Sequence, residues 1–393
     1  MLPRYYEYYN PVKINAGFDA LRTLPAELKR MNALRPIIIT DKGVSNAGLL
    51  NHVLNGFNNS DITVGVVFDE TPSDSSIQAV NKVADLFYEY KCDSIIAVGG
   101  GSAIDTAKAV NIVVSENDRD LRKFMGADRL SAVQKPFIVV PTTAGTGSEV
   151  TLVAVISDTE RGVKLPFTSR LLLPKLAVLD PLMTQSLPPK LTAATGMDAL
   201  THAVEAYTCL QKNPMSDAYA WSAITLISKN IEQAVRTGSD LSARFEMANA
   251  SLMAGAAFSN SMVGAVHAIG HACGAVSHVH HGNAMAILLP YVMKFNSDKV
   301  GNLYAELLLP LSGAEIYAKT PENLRNRKAI EEVLLLNHKL KKLCGMPVKL
   351  SEAGVKRSDF KKIAENAMND GAMIPNVKAF DFEDVISVLN EAF

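Results

Sequence analysis

Apolar positions in the first half of the chain fall into short unbroken runs, and between those runs they follow helical spacing. RPIIITDKG at 35–43, DITVGVVFDE at 61–70, CDSIIAVGGG at 92–101 and KPFIVVPTT at 135–143 each hold a short stretch rich in Ile and Val. Between them, SIQAVNKVADLFYEY at 76–90 sets Ile77, Val80, Val83, Ala84 and Phe87 on one helical face, and AIDTAKAVNIVVSE at 103–116 is also helix-like. Strand–helix–strand alternation predicts a parallel sheet covered by helices, the architecture of a nucleotide-binding α/β domain. TLVAVIS at 151–157, GVKLPF at 162–167 and LAVLD at 176–180 lie close together, so some antiparallel pairing is expected there.

After the Pro-rich stretch DPLMTQSLPPK at 180–190 the pattern changes to long Ala- and Leu-rich helical segments with few β-branched runs. The chain therefore reads as an α/β dinucleotide-binding domain over residues 1–185, mainly parallel in its sheet, and an all-helical domain over 186–393. No internal repeat is visible. At 393 residues the chain is long enough for two domains, each with its own core.

Composition narrows the function classes. Hydrophobic residues at 48% and charged residues at 20% fit a soluble globular enzyme. A net charge of −1 argues against a general nucleic-acid or anionic-membrane partner, both of which need a basic footprint. Cys92, Cys209, Cys273 and Cys344 form no CxxC pair and read as the reduced thiols of a cytoplasmic protein. MLPRYYEYYNP at the N-terminus lacks a basic stretch followed by an apolar run, so no signal peptide is expected. Gly, Pro or charge breaks every apolar stretch before about 18 residues, so no membrane span is expected.

The second half carries the candidate metal chemistry. TGMDALTHAVEAY places Asp198 and His202 one helical turn apart on the same face. GAVHAIGHACGAVSHVHHG places His267 and His271 likewise, with His281 just beyond, and five of the chain's eight His lie between 267 and 281. A single pair at this spacing is ordinary; two pairs and the crowding favour a mononuclear site. One carboxylate with imidazoles suits divalent iron or zinc and leaves a position open for substrate. Such an open position makes a Lewis acid able to acidify an alcohol.

The first half carries the candidate cofactor loop. The run Ser94–Val98 leads into Gly99, Gly100, Gly101 and Ser102, then a helix from about Ala103. Glycines allow close backbone approach, and free N–H groups at a helix start favour phosphate. The spacing matches neither GxGxxG nor an ATP loop, so a tight turn without ligand is the other reading. Asp105 in the first helical turn would repel a phosphate, so its side chain is expected to point elsewhere. Asp41, at the end of an early strand, is either a turn or N-cap residue or an acceptor for a ribose diol that disfavours a 2′-phosphate. A second loop, with Thr142, Thr143, Gly145, Thr146, Gly147 and Ser148, offers hydroxyls and flexible backbone.

Five strings in this order, GGGSAIDTAK, PTTAGTGSEVT, LDPLMTQSLPP, TGMDALTHAVEAY and VHAIGHACGAVSHVHHGNA, resemble those of the iron-dependent (group III) alcohol dehydrogenases almost end to end. The resemblance implies a dehydroquinate synthase-like fold, and with the cofactor motifs on the first domain and the metal ligands on the second, a site in the cleft between them is expected. It also implies metal ligands Asp198, His202, His267 and His281, with Fe2+ as the metal and Zn2+ as the other option. His271 matches a family His beside the ligands that can relay a proton. Asp41 matches an Asp that selects NAD, while Thr142, Thr143, Thr146, Thr151 and Lys164 match cofactor contacts. The sequence departs from the family at His280, where Pro is common, and at Cys273, in place of a Pro-Leu pair. His280 is thus the alternative ligand to His281, and His278 reads as a loop residue.

The expected function is NAD-dependent, metal-assisted hydride transfer between a small primary alcohol or diol and the nicotinamide, or aldehyde reduction in reverse. The expected protein is a cytoplasmic homo-oligomer, a dimer or larger. Within the superfamily the alternatives are a glycerol dehydrogenase-like, 4-hydroxybutyrate dehydrogenase-like or dehydroquinate synthase-like enzyme. Outside enzymes the alternative is an NAD- or metal-binding assembly protein. NADH absorbance with a panel of alcohols separates them.

Overall fold

The computed structural model describes residues 3–393. Its contacts divide the chain into two compact units, Asn10–Ser186 and a second made of Leu187–Phe393 with the segment that ends at Tyr9.

In the first unit a six-stranded sheet has the order β1-β9-β6-β4-β2-β3, with every neighbouring pair parallel. The strands are β1 (Lys13–Ala16), β2 (Pro36–Ile39), β3 (Val66–Phe68), β4 (Ser94–Gly99), β6 (Phe137–Pro141) and β9 (Leu176–Leu179). Helices α1 (Leu24–Arg30), α2 (Lys42–Asn46), α3 (Leu49–Asn55), α4 (Ile77–Glu89) and α5 (Gly101–Glu116) accompany them. The unbroken apolar runs follow from burial on both faces. Ile37, Ile39, Ile95, Ala97 and Val139 pack with residues of α4 and α5. Ile38, Ile96, Val98, Ile138 and Val140 pack on the opposite face with Leu24, Leu28 and Val53 of α1 and α3. Ser76 starts α4 by accepting a hydrogen bond from Ala79 N, which places the helix where its apolar face was legible.

A smaller sheet, β5-β8-β7, joins β5 (Gly126–Ala127), β7 (Val153–Asp158) and β8 (Val163–Thr168), and β7 pairs antiparallel with β8 as expected. The third segment of that expectation is corrected: β9 lies in the large sheet, parallel to β1 and β6. Burial separates them. All four residues of β9 are buried, as a central parallel strand requires, whereas β7 and β8 keep exposed positions. The edge strand β1 has a partly exposed pattern and no apolar run to announce it.

The chain passes from β2 to β3 on one side, then returns to β4 on the other side of β2. The β2/β4 boundary is therefore a switch point, where open α/β sheets receive ligands beyond the carboxyl ends of their strands.

The second unit is helical: α6 (Pro189–Thr208), α7 (Pro214–Arg236), α8 (Leu241–Phe258), α9 (Ala265–Ser277), α10 (His281–Lys319), α11 (Arg325–Cys344), α12 (Phe360–Met368) and α13 (Phe382–Glu391). Helix α10 bends where Val300 and Gly313 leave helical geometry. Asn213 caps α7 in a reciprocal pair with Ser216, followed by Pro214 in the first turn. Sixteen of the 20 residues of α6 are buried, including Asp198, His202 and Glu205. A helix so enclosed keeps polar side chains only where they have a partner or a task.

Candidate cofactor and metal sites

In the Asn10–Ser186 unit, two of the sequence candidates flank the switch point. Asp41 follows β2 and caps α2, with Oδ1 accepting from Val44 N at 3.0 Å. The cap reading therefore holds for one oxygen. The other faces the glycine turn: a Cβ added at Gly99 would lie 3.4 Å from Asp41 Oδ2 and 2.6 Å from Ala103 Cβ. Gly100 is the N-cap of α5, in extended conformation and without a side-chain cap, so the first N–H groups of a 16-residue helix are left for a ligand.

The threonine loop closes on this turn. A Cβ at Gly100 would stand 3.2 Å from Thr143 Cγ2, and one at Gly101 would stand 3.1 Å from Thr146 Cγ2. Glycine is needed here for close approach rather than for unusual dihedrals. Thr142 N donates to Gly99 O at 3.0 Å, and Gly147, at a φ of 61°, turns the loop. Ser102 Oγ donates to Ser73 O at 2.6 Å. Thr151 is buried, and its Oγ1 accepts from Lys108 Nζ at 3.1 Å. Lys164 sits apart on β8, exposed and paired with Asp74. The geometry thus gathers Asp41, Gly99–Ser102, Thr142, Thr143 and Thr146 around one turn, links Thr151 through Lys108, and leaves Lys164 beside Asp74. Asp105 points away from the turn, as expected, with Oδ2 accepting from Val155 N at 3.0 Å.

In the helical unit, α6, α9 and the first residue of α10 bring the candidate ligands together. Asp198 Oδ1 lies 3.2 Å from His281 Nε2, 3.9 Å from His267 Nε2 and 3.9 Å from His202 Nδ1. One donor atom from each of Asp198, His267 and His281 falls within 4.8 Å of the others. His202 stands beside this trio: its ring stacks on His267 with centroids 4.4 Å apart and on Phe258 at 4.2 Å. Among the described residues, three buried atoms, Asp198 Oδ1, His202 Nδ1 and His267 Nε2, have no well-formed hydrogen bond, the close approach of His281 Nε2 to Asp198 Oδ1 aside. Buried lone pairs without partners are costly, and three converging from two helices fit a cation.

The protonation states of Asp198, His202 and His267 agree. Burial works against the Asp198 carboxylate, but the surrounding imidazoles outweigh it and hold it below the usual range. Burial pushes His202 down to about 3 and His267 well below its ordinary value. His281 is opposed by burial yet raised, because Asp198 lies against it. An ionised Asp198 with neutral His202 and His267 is the form in which these groups bind metal, and His281 gives up its proton to join them.

Two further side chains of the site, Glu205 and Asp370, are not among the sequence candidates. Glu205, buried on α6, meets His267 Nδ1 at 2.5 Å through Oε2 and accepts from Val266 N at 2.7 Å through Oε1. Burial pushes its carboxyl up to about 7. A carboxylate on Nδ1 fixes the imidazole with its lone pair on Nε2, the nitrogen that faces Asp198. The signal was present in TGMDALTHAVEAY, since Glu205 is seven residues after Asp198, two turns along the same face. Asp370 bonds His271 Nδ1 at 2.9 Å and is 99 residues away, with no local signal. His271 is half exposed and stacks on His281 at 5.4 Å. His278 closes α9 in the left-handed region at a φ of 55°, and His280 is the exposed N-cap residue of α10, outside the Asp198 trio.

Comparison with known proteins accords with both halves. Residues 11–181 match the model of the iron-containing alcohol dehydrogenases, and residues 192–393 match the C-terminal model of the same family. The 1,3-propanediol dehydrogenase of Citrobacter freundii is 36% identical over 392 residues, covering 99% of each chain. The NAD-dependent methanol dehydrogenase of Bacillus methanolicus is 32% identical, covering 98% of this chain and 99% of its own. The crystal structure of a 1,3-propanediol oxidoreductase superposes with a TM-score of 0.95 at 35% identity, over 99% of this chain and all of that one. The chain belongs to the iron-containing alcohol dehydrogenase family and is an NAD-dependent, metal-dependent oxidoreductase acting on alcohols.

Proposed function

We propose that the two units divide the work of alcohol oxidation, with the cofactor held on Asn10–Ser186 and the metal and alcohol on the helical unit. Asp198, His202, His267 and His281 hold the divalent ion, Fe2+ or Zn2+. The carrying observation is the set of unpartnered buried donors on Asp198, His202 and His267. When bound, the ion lowers the pKa of an alcohol as a Lewis acid, and NAD supplies the carbon that accepts hydride. Glu205 keeps His267 in the ligating tautomer. His271 has Nδ1 committed to Asp370, so Nε2 is the atom that takes a proton and releases it to solvent, while Asp370 steadies the imidazolium.

For the cofactor, the open start of α5 takes the pyrophosphate against Gly99, Gly100, Gly101 and Ser102. Thr142, Thr143, Thr146 and Thr151 line the loop, and Lys164 reaches the ribose by exchanging its Asp74 pairing. Asp41 Oδ2 accepts from the adenosine ribose diol and selects NAD over NADP.

The substrate is a small primary alcohol or diol, or the matching aldehyde in reverse. Relatives that act on methanol and 1,3-propanediol support this, and a 33% identical 4-hydroxybutyrate dehydrogenase from Cupriavidus necator sets the competing class. The four free thiols support a cytoplasmic setting. A homo-oligomer, expected from the family resemblance, is checked by light scattering.

NAD reduction across ethanol, butanol, 1,2-propanediol, 1,3-propanediol and 4-hydroxybutyrate, after loading with ferrous iron or zinc, tests the reading. The expected result is the highest kcat/KM for an uncharged alcohol or diol, with activity lost on chelation. Full activity without metal, or a clear preference for the carboxylate, overturns it. H271A should keep its metal and lose turnover.

A further inference from the structure

Helix α5 buries a lysine that the chemistry above does not use. Lys108 is fully buried, seven residues beyond Gly101 and so two turns along the helix whose start forms the glycine turn. Its ammonium donates to Thr151 O at 2.8 Å, Thr151 Oγ1 at 3.1 Å and Val153 O at 2.8 Å. Three protons meet three acceptors, all on the segment leading from the threonine loop into β7. Asp105 on the same helix holds Val155 N of β7. Burial pulls the lysine down to about 8, and Asp105 with Glu149, buried in the short turn Ser148–Val150, partly offsets that in favour of its charge. A buried charge is costly to maintain, and this one is aimed at a single segment.

We propose that Lys108 is a positioning residue for the cofactor: it ties the far end of the threonine loop to α5 and fixes the Thr151 hydroxyl so that its proton is offered to an acceptor on NAD. The chemistry follows from donor arithmetic. A lysine ammonium has no acceptor, so Thr151 Oγ1 receives from it and its own hydrogen must point elsewhere. The two walls of the cofactor site, the glycine turn and the threonine loop, are then held in register by one side chain beneath both. The inference rests on the reading of Thr151 as a cofactor contact.

The test is a double-mutant cycle on K108M and T151V, read by NADH fluorescence titration on the metal-loaded full chain. K108M should weaken NADH binding about tenfold, the equivalent of one well-made hydrogen bond, and T151V should weaken it by a similar factor. The double variant should also lose about tenfold rather than about a hundredfold, because the two residues act through one hydroxyl. In K108M the KM for NAD should rise more than kcat falls, with metal content unchanged, a split that general loosening of the fold does not produce. Binding in K108M equal to wild type, or additive losses, overturns the proposal. Unchanged binding in T151V instead refutes Thr151 as a cofactor contact, so the two failures are distinguishable. Should K108M not fold, K108M/E149Q removes the cation and a buried carboxylate together and carries the same cycle. If neither folds, the lysine serves the fold alone and the assignment is overturned.

Discussion

Lys108 and Asp198 are both charged groups withdrawn from water, yet their surroundings are built in opposite ways. The lysine donates each of its three protons to an acceptor on one neighbouring segment. Asp198 and two of its neighbours keep buried polar atoms that no well-formed hydrogen bond among the described residues satisfies, with only His281 Nε2 close to Asp198 Oδ1, at 3.2 Å. A completed set of bonds around a buried charge holds a backbone in place; an incomplete set, with the right protonation states, receives something from outside. The same distinction separates Glu205 from Asp198 on one helix face. Glu205 is spent on His267 and Val266 N, and Asp198 is open.

The comparison is broken most severely by removing an open donor. D198A should lose bound metal and about a thousandfold in turnover, roughly 4 kcal/mol of transition-state stabilisation, while NADH binding and the unfolding transition are retained. Metal analysis with steady-state rates checks this, and D198A turning over at the wild-type rate would refute it. Removing the completed partner should cost less. E205Q leaves the ligands in place but weakens the hold on His267, so metal affinity should fall about 10- to 100-fold, as measured by chelator competition. An unchanged affinity would make Glu205 a purely structural residue.

On the cofactor side, D41G removes a negative charge from the glycine turn. It should lower the KM for NADP by a factor of about 5 to 150, the equivalent of roughly 1–3 kcal/mol of repulsion. Glycine is itself a tolerated N-cap, so the loss of the bond to Val44 N should cost only a few tenths of a kcal/mol. A wild-type enzyme that already prefers NADP would contradict the reading of Asp41.

A further effect concerns stability against pH. Burial raises the Glu149 carboxyl from 4.5 to about 7, so between those values the native state binds more protons than the unfolded chain. This group therefore favours folding in acid and costs stability as pH rises through that window. Relative to E149Q, the urea midpoint of the wild type should fall between pH 5 and pH 7.5. A difference that stays flat or grows across that range would show that burial does not govern this carboxyl.

What the sequence made legible follows the same division. Ile37–Ile39 and Ile95–Val98 announced central strands because both of their faces are buried and no polar residue interrupts them. The two i, i+4 pairs announced converging ligands because helical periodicity is local. β9 pairs with β1 and β6 rather than with its chain neighbours β7 and β8, because proximity along the chain carries no information about which sheet a strand enters. Glu205 is readable from its place two turns after Asp198 on the same helix face. Asp370 and the Lys108–Thr151 tie are not, since they join segments 99 and 43 residues apart and depend on tertiary packing.

The central claim is that Asp198, His202, His267 and His281, and not the neighbouring His271, His278 and His280, hold one metal ion. His280 and His281 are adjacent, but only His281 lies within reach of Asp198 Oδ1, at 3.2 Å. Metal stoichiometry by mass spectrometry after anaerobic loading and dialysis decides the matter directly on wild type, H280A and H281A. The account predicts one metal per chain in wild type and in H280A, and most of it lost in H281A. Metal retained in H281A and lost in H280A would contradict it.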